Sequence, residues 1–345
     1  MSDQLRVLIC SASPDSVNHN SVLRGYVATG FRALLGAAQV RVSSLESAAQ
    51  TVRTFVPQIV VVFGSCMPQV VNYLELKNAT LDRGAQLAFW LHDDPYEFDY
   101  SYKVEPFADA IFSNDRWATT HYRHPNVHHL PLAADPTAHF RPLRNDKERD
   151  VFFCGVGFPN RVALLRDCAN ALQGLTVSVF GSDWPADLRF AQNRRIINAE
   201  LPDLHAASLV TLNIGRRFNL ANDRFNLDAS TPGPRTFEAA ASGTVQCLFV
   251  EGLEIDDYYD ERADEILLFD TPTQLRRHIE MLRDEPLRAQ RIAAAAQRRT
   301  LTEHTYERRA ARILDVLETG WTVSTFSYNA PLAKAQPEES DESNP

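Results

Sequence analysis

The feature that most constrains this chain is a series of short, almost wholly apolar runs separated by stretches with helical spacing, and the series occurs twice. Leu5–Cys10, Val40–Val42, Gln58–Phe63, Leu87–Leu91, Ala110–Ser113 and Val127–Pro131 each read as a buried strand. Between them, Val22, Leu23, Tyr26, Val27, Phe31, Leu34 and Leu35 share one face of a helix over residues 20–36. Further helices are predicted over 44–55, stopped by Pro57, and over 68–83, closed by Gly84. Strands that alternate with helices predict βαβ units and a parallel sheet. Strands without polar alternation predict that both faces of that sheet are covered.

The pattern then stops and restarts. Residues 141–149, Arg-Pro-Leu-Arg-Asn-Asp-Lys-Glu-Arg, are polar and charged and read as a linker. Beyond them come strands at Asp150–Cys154, Thr176–Phe180, Leu209–Asn213, Val245–Phe249 and Ile266–Phe269. Helices are predicted over 161–172, from 236 to about Gly243, and over 272–283, 286–302 and 304–317. A chain of 345 residues is too long for one ordinary core. The fold class is therefore α/β, with two doubly wound, Rossmann-like domains at residues 1–140 and 141–310. From Trp321 the order is lost, and the acidic, polar end of the chain over 326–345 reads as a disordered tail.

The formal net charge of -9 argues against a protein that coats nucleic acid, which draws on a surplus of Lys and Arg. No apolar run approaches the ~20 residues that a membrane span needs. The first residues lack the basic start, long apolar stretch and small-residue cleavage site of a signal peptide. The expectation is a cytoplasmic protein without a membrane span, with peripheral association left open. The five cysteines are scattered, with no Cys-x-x-Cys pair, which suits reduced thiols.

Two doubly wound domains in tandem face each other across a cleft, and in such sheets ligands bind beyond the carboxyl ends of the strands. Three strand-end clusters carry candidate chemistry. Cys154-Gly155-Val-Gly157-Phe-Pro-Asn-Arg161 follows a strand and opens a helix. Its glycines would let backbone approach a phosphate, and Arg161 would pair with a diphosphate. The same residues also suit a plain tight turn. In Ser230-Thr-Pro-Gly-Pro-Arg-Thr-Phe-Glu238, two prolines stiffen the entry to a helix, and Arg235 and Glu238 share a face. A carboxylate suits a ribose diol and an arginine a diphosphate, although an exposed ion pair at this spacing is the simpler reading. Thr236 and Phe237 lie between them, and Gly181 and Asn213 stand at the ends of two further strands. Trp90-Leu-His92-Asp93-Asp94-Pro95, on the N-terminal side, offers a base or an acceptor-orienting group, or simply a turn. Asn114 or Asp115 is expected to cap a helix. His128 and His129, on a strand, face opposite ways and are not read as a metal site. Arg216-Arg217 is near the expected cleft but suits a solvated loop equally.

These residues resemble a known group. Asp150-Val-Phe-Phe-Cys-Gly, Arg161, Pro234-Arg-Thr-Phe-Glu-Ala-Ala-Ala-Ser-Gly243, Phe269-Asp-Thr-Pro-Thr-Gln-Leu and Thr302-Glu-His-Thr-Tyr-Glu-Arg-Arg309 are similar to the CgeB-type (spore-maturation-like) glycosyltransferases. That group has the GT-B fold and a C-terminal domain of the group 1 kind. Trp90–Pro95 and His129–Asp135 extend the likeness into the N-terminal half. The resemblance implies a nucleotide-sugar substrate (UDP-, GDP- or dTDP-linked) in the C-terminal domain and a hydroxyl acceptor in the N-terminal one. It implies Glu238 at the donor ribose, no cofactor, no metal, and a helix around 311–325 that crosses back to the N-terminal domain. In the wider Glu-x7-Glu class a second acid lies eight positions before this glutamate. Here that position is Ser230, which leaves retaining and inverting chemistry both open. Two other readings remain at this point. One is an NAD(P)-dependent oxidoreductase built on Gly155, Gly157 and Asp183. The other is a non-catalytic carbohydrate or nucleotide-sugar binder.

Overall fold

The computed structural model describes residues 5–16, 21–66, 73–250 and 254–317. Two six-stranded sheets, each wholly parallel, stand one after the other in the chain. The first holds β1 (Val7–Ser11), β2 (Val40–Ser43), β3 (Ile59–Gly64), β4 (Gln86–Leu91), β5 (Ala110–Ser113) and β6 (Val127–His129), in the order β2-β1-β3-β4-β5-β6. The second holds β7 (Arg149–Cys154), β8 (Val177–Phe180), β9 (Ala191–Gln192), β10 (Ser208–Asn213), β11 (Val245–Phe249) and β12 (Leu267–Phe269). Its order is β12-β11-β10-β7-β8-β9. In each sheet the chain builds outward from the first strand and then reverses, which creates a switch point at β1/β3 and another at β7/β10.

Helices cover both faces, which is why the strands carry no polar alternation. In the first sheet, α1 (Ser21–Leu35) lies on the face that includes Val7, Ile9, Val61 and Trp90, and α2 (Leu45–Phe55) and α3 (Tyr73–Arg83) lie on the face of Leu8, Val60 and Phe89. Two short helices follow, α4 (Arg116–Thr119), capped by Asp115, and α5 (Pro136–His139), capped by Asp135. The second sheet packs α6 (Pro159–Cys168), α9 (Pro272–Asp284) and α10 (Pro286–Glu303) on one face. On the other lie α7 (Leu201–Ala206) and α8 (Pro234–Ala241). Last comes α11 (Tyr306–Val316), which returns to the first sheet. Tyr306, Ala310, Ile313, Leu314 and Leu317 join the core formed by α1 and the strands. The two helices cross where a Cβ on Gly30 would stand 2.3 Å from the Tyr306 carbonyl oxygen, so only glycine fits. Buried Arg309 secures the crossing by donating to the carbonyls of Pro131 (2.8 Å), Leu132 (3.2 Å) and Glu303 (3.1 Å).

Several elements differ from the sequence reading. The helix expected over 161–172 starts at Pro159 and stops at Cys168. Proline suits the first helical position, where its missing N–H has no partner to lose. The edge strand β9 and the helix α7 are too short to show a period in the sequence. The first turn of the helix expected over 68–83 falls outside the described residues, as do residues 318–325 of the expected crossing helix and the whole acidic tail. No helix among the described residues is long and apolar enough to cross a membrane.

Candidate active site in the interdomain cleft

A cleft of about 380 Å³ opens between the sheets. Its C-terminal wall comes from the two loops of the β7/β10 switch point, Cys154–Phe158 and Asn213–Arg216, and from the start of α8. Its N-terminal wall comes from the loop after β4, with His92, Asp93, Asp94 and Tyr96, and from Asn114 after β5.

Glu238 is 2% exposed and sits at the floor. Arg235, one turn earlier on α8, donates to its Oε2 while keeping 40% of its own side chain exposed. A second Arg235 nitrogen donates to Asn198 Oδ1 at 3.2 Å. The other carboxylate oxygen lies 3.7 Å from His139 Nε2. His139 Nδ1 accepts from the Asp135 N–H at 3.0 Å, so the ring hydrogen of the neutral tautomer is on Nε2 and points towards Glu238. Burial holds the His139 pKa below the usual histidine value, against the pull of Glu238 and Asp135. The pair is thus no surface ion pair: the acid is buried at the cleft wall, and the arginine is the more exposed partner.

The other donor-side residues separate into two groups. Gly155, Arg161, Asn213, Arg235, Thr236 and Glu238 line the cleft; Gly157, Gly181 and Phe237 do not. Gly181 has φ +149, and a Cβ there would fall 1.8 Å from the Gly155 carbonyl oxygen. At Gly157 a Cβ would fall 2.6 Å from the Asp183 carbonyl oxygen. Both glycines allow the loops after β7 and β8 to touch. Gly157 therefore packs on the Asp183 backbone, away from the cleft that the oxidoreductase reading needed it to line. Phe237 is in the core, against Tyr258, Tyr259 and His304. Arg161 donates to the carbonyls of Ile214 (3.0 Å), Gly215 (3.2 Å) and Val156 (3.1 Å), which ties the two switch-point loops together. Asn213 donates to Gln246 Oε1 at 2.5 Å.

Across the cleft, His92, Asp93 and Asp94 have unlike surroundings. Asp94 is buried, and its Oδ2 accepts from Ser113 Oγ and Tyr122 OH, each at 2.6 Å. Burial outweighs these bonds and pushes its pKa up to about 7. Asp93 is partly exposed. Its carboxylate lies 3.4 Å from His92 Nδ1 on one side and 3.3 Å from Arg216 on the other. Arg216 comes from the opposite domain and stacks 3.7 Å over the Tyr96 ring. The loop that carries it then docks on the N-terminal domain. Asp99 accepts from the Asp223 N–H at 2.7 Å, and Leu220 and Ala221 donate to the Tyr96 carbonyl.

Ser230 does not face the cleft. Its N–H and hydroxyl donate to Asp115 Oδ2 at 2.6 and 3.0 Å, and the Thr231 N–H donates to the same oxygen at 3.2 Å. The carboxylate that caps α4 therefore also clamps the loop of the other domain. His129 adds a contact to Thr231 Oγ1 at 3.0 Å. Among the described residues no group of three or more His, Cys, Asp or Glu is arranged to hold a metal ion.

Two parallel doubly wound sheets facing a cleft, with a buried acid at the floor of the second, define the class: this is a GT-B fold. It is shared with AviGT4, a glycosyltransferase involved in avilamycin A biosynthesis, at a TM-score of 0.62 and 16% identity over 90% of this chain and 96% of that one. HepE of Anabaena, solved in complex with UDP-glucose, matches at a TM-score of 0.61 and 12% identity over 91% of this chain and 100% of that one. Residues 161–315 match the family described as glycosyl transferase-like. The spore protein CgeB of Bacillus subtilis (strain 168) is 29% identical over 102 residues, which make up 28% of this chain and 31% of that relative.

Proposed function

We propose that this chain is a glycosyltransferase that moves a sugar from a nucleotide-sugar to a hydroxyl acceptor. The observation that carries the reading is Glu238, buried at the cleft floor beside the half-exposed Arg235, on a glycosyl transferase-like domain. Complexes of HepE with UDP-glucose support a nucleotide diphosphate sugar as the donor class. In this reading Glu238 accepts hydrogen bonds from the donor ribose. Arg235 and the backbone N–H groups at the starts of α6 and α8 stabilise the leaving diphosphate, and Gly155 lets that backbone approach. Arg161 acts by bracing the loops, since its guanidinium is engaged by their carbonyls.

Asp93 suits the acceptor side best. It is exposed to the cleft and held between His92 and Arg216, whereas the Asp94 carboxyl is already engaged. If the enzyme inverts, the acceptor oxygen bonds to the anomeric carbon as the bond from that carbon to the phosphate oxygen breaks, and the acceptor proton passes to Asp93. An inverted product would place Asp93 as this base, and a retained one would leave it as a group that orients the acceptor. All five cysteines are unpaired, which supports action in the reducing cytoplasm. No metal takes part in the steps proposed.

The test is a thermal-shift and calorimetric titration with UDP, GDP, dTDP and CDP, in the wild type and in Glu238→Ala. A bound nucleotide raises the melting temperature by mass action. Glu238→Ala is expected to weaken the preferred nucleotide at least tenfold. Unchanged affinity would remove Glu238 from the donor site.

A further inference from the structure

His205, on α7, is 2% exposed and lines the same end of the cleft as Asn198, Arg235 and Glu238. Its Nδ1 lies 3.0 Å from Thr211 Oγ1. The hydroxyls behind it fix the direction of that bond. The Ser208 carbonyl can only accept, so Thr244 donates to it at 3.1 Å. The Thr244 oxygen then accepts from the Thr211 hydroxyl at 3.4 Å. Thr211 has spent its hydrogen, and its oxygen is left to accept from His205 Nδ1–H. A neutral imidazole has one ring hydrogen, so Nε2 is a bare acceptor. Burial, with Arg235 and His139 nearby, drives the ring pKa down to about 3 and keeps it neutral. Nε2 is buried and has no hydrogen-bond partner. An orphaned buried acceptor is costly, and that cost is relieved by a ligand that donates a hydrogen.

The chemistry of the donor substrate narrows the ligand group. Phosphate oxygens only accept, so the diphosphate cannot satisfy Nε2. The transferred sugar has its anomeric carbon turned towards Asp93 on the opposite wall. The nucleoside, next to Glu238, offers ribose hydroxyls and, in uridine, thymidine and guanosine, a ring N–H. We propose that His205 Nε2 accepts a hydrogen bond from the nucleoside of the donor and so helps select it. This rests on the glycosyltransferase reading above.

The experiment is calorimetric titration of UDP, CDP and 2′-deoxyuridine diphosphate into the wild type, His205→Phe and His205→Gln, each checked for folding by its melting temperature. Phenylalanine keeps the ring that packs 5.0 Å from Phe152 but removes the acceptor. Glutamine can return an oxygen near the Nε2 position. UDP affinity is expected to fall about tenfold or more in His205→Phe and to recover in His205→Gln, the size expected for one orphaned hydrogen bond. A loss for UDP but not CDP, which lacks the ring N–H, assigns the base as the donating group. A loss for both but not for the 2′-deoxy compound assigns the 2′-hydroxyl. Wild-type affinity in folded His205→Phe, or a loss that glutamine does not relieve, overturns the proposal. If Glu238→Ala still loses the nucleotide in that case, the donor site stands without His205. If the wild type binds none of UDP, GDP, dTDP and CDP, the functional reading falls and this inference with it.

Discussion

Replacing Asp115 with alanine removes one carboxylate that serves two domains at once. Its Oδ1 accepts from the Ala118 N–H at 3.0 Å and so caps α4. Its Oδ2 holds the Ser230 N–H, the Ser230 hydroxyl and the Thr231 N–H. Loss of the cap costs about 1 kcal/mol. Two buried backbone N–H groups left without an acceptor cost ~1–3 kcal/mol each, while the alanine variant is spared the burial of a charge. The net expectation is a destabilisation of about 3–5 kcal/mol, concentrated where the domains meet. Urea denaturation followed by tryptophan fluorescence is the assay, because Trp90 and Trp117 report on the first domain and Trp184 on the second. Asp115→Ala should lower the midpoint and separate the unfolding of the two halves. Asp115→Asn, which keeps one oxygen, should do so less. A midpoint and a single transition equal to the wild type would refute the claim that this carboxylate couples the domains.

Gly181→Ala should cost ~2–4 kcal/mol and loosen nucleotide binding, because the new methyl would overlap the Gly155 carbonyl at a positive φ; a wild-type melting temperature would show that the two loops are not in contact. Glu97 is a buried acid whose pKa burial raises to about 8, although Ser65 Oγ and the Cys66 N–H donate to it at 2.6 and 2.5 Å. The unfolded chain releases this proton near pH 4 and the folded chain near pH 8, so stability from this group is full below pH ~4 and falls as pH rises through that window. Glu97→Gln should therefore flatten the decline between pH 5 and 8, and a slope equal to the wild type in urea melts across that range would count against it. With the Glu238 and His205 substitutions above, these test the floor of the cleft, its loops and its interdomain contacts separately.

The sheets were legible because buried parallel strands leave uninterrupted apolar runs such as Ile59–Phe63, and the helices because α1 and α9 keep one apolar stripe. The two-domain α/β class followed once the series was seen to occur twice, and the GT-B fold was implied only by the resemblance of the strand-end motifs. The site was less legible. Arg235 and Glu238 could be picked out because Pro232 and Pro234 mark the helix start. Phe237, between them, looked alike in sequence but turns into the core, since adjacent helical positions point about 100° apart. Gly157 and Gly181 had the residue type of a phosphate loop, yet their freedom serves loop-to-loop contact. Nothing near His205 in the sequence marks it, because the hydroxyls that set its tautomer come from β10 and from Thr244 before β11. Ser230 could be read only as a missing acid; its partner Asp115 lies 115 residues away.

The return of α11 also sets a schedule for making the protein. The strands of the first sheet end at His129, but the face that carries Val7, Ile9 and Trp90 is completed by Tyr306, Ile313 and Leu314. On the ribosome that face must wait, partly bare, while the whole second domain emerges. Expressed without α11, the N-terminal half would leave that apolar face partly uncovered, so it should be less soluble than the full chain.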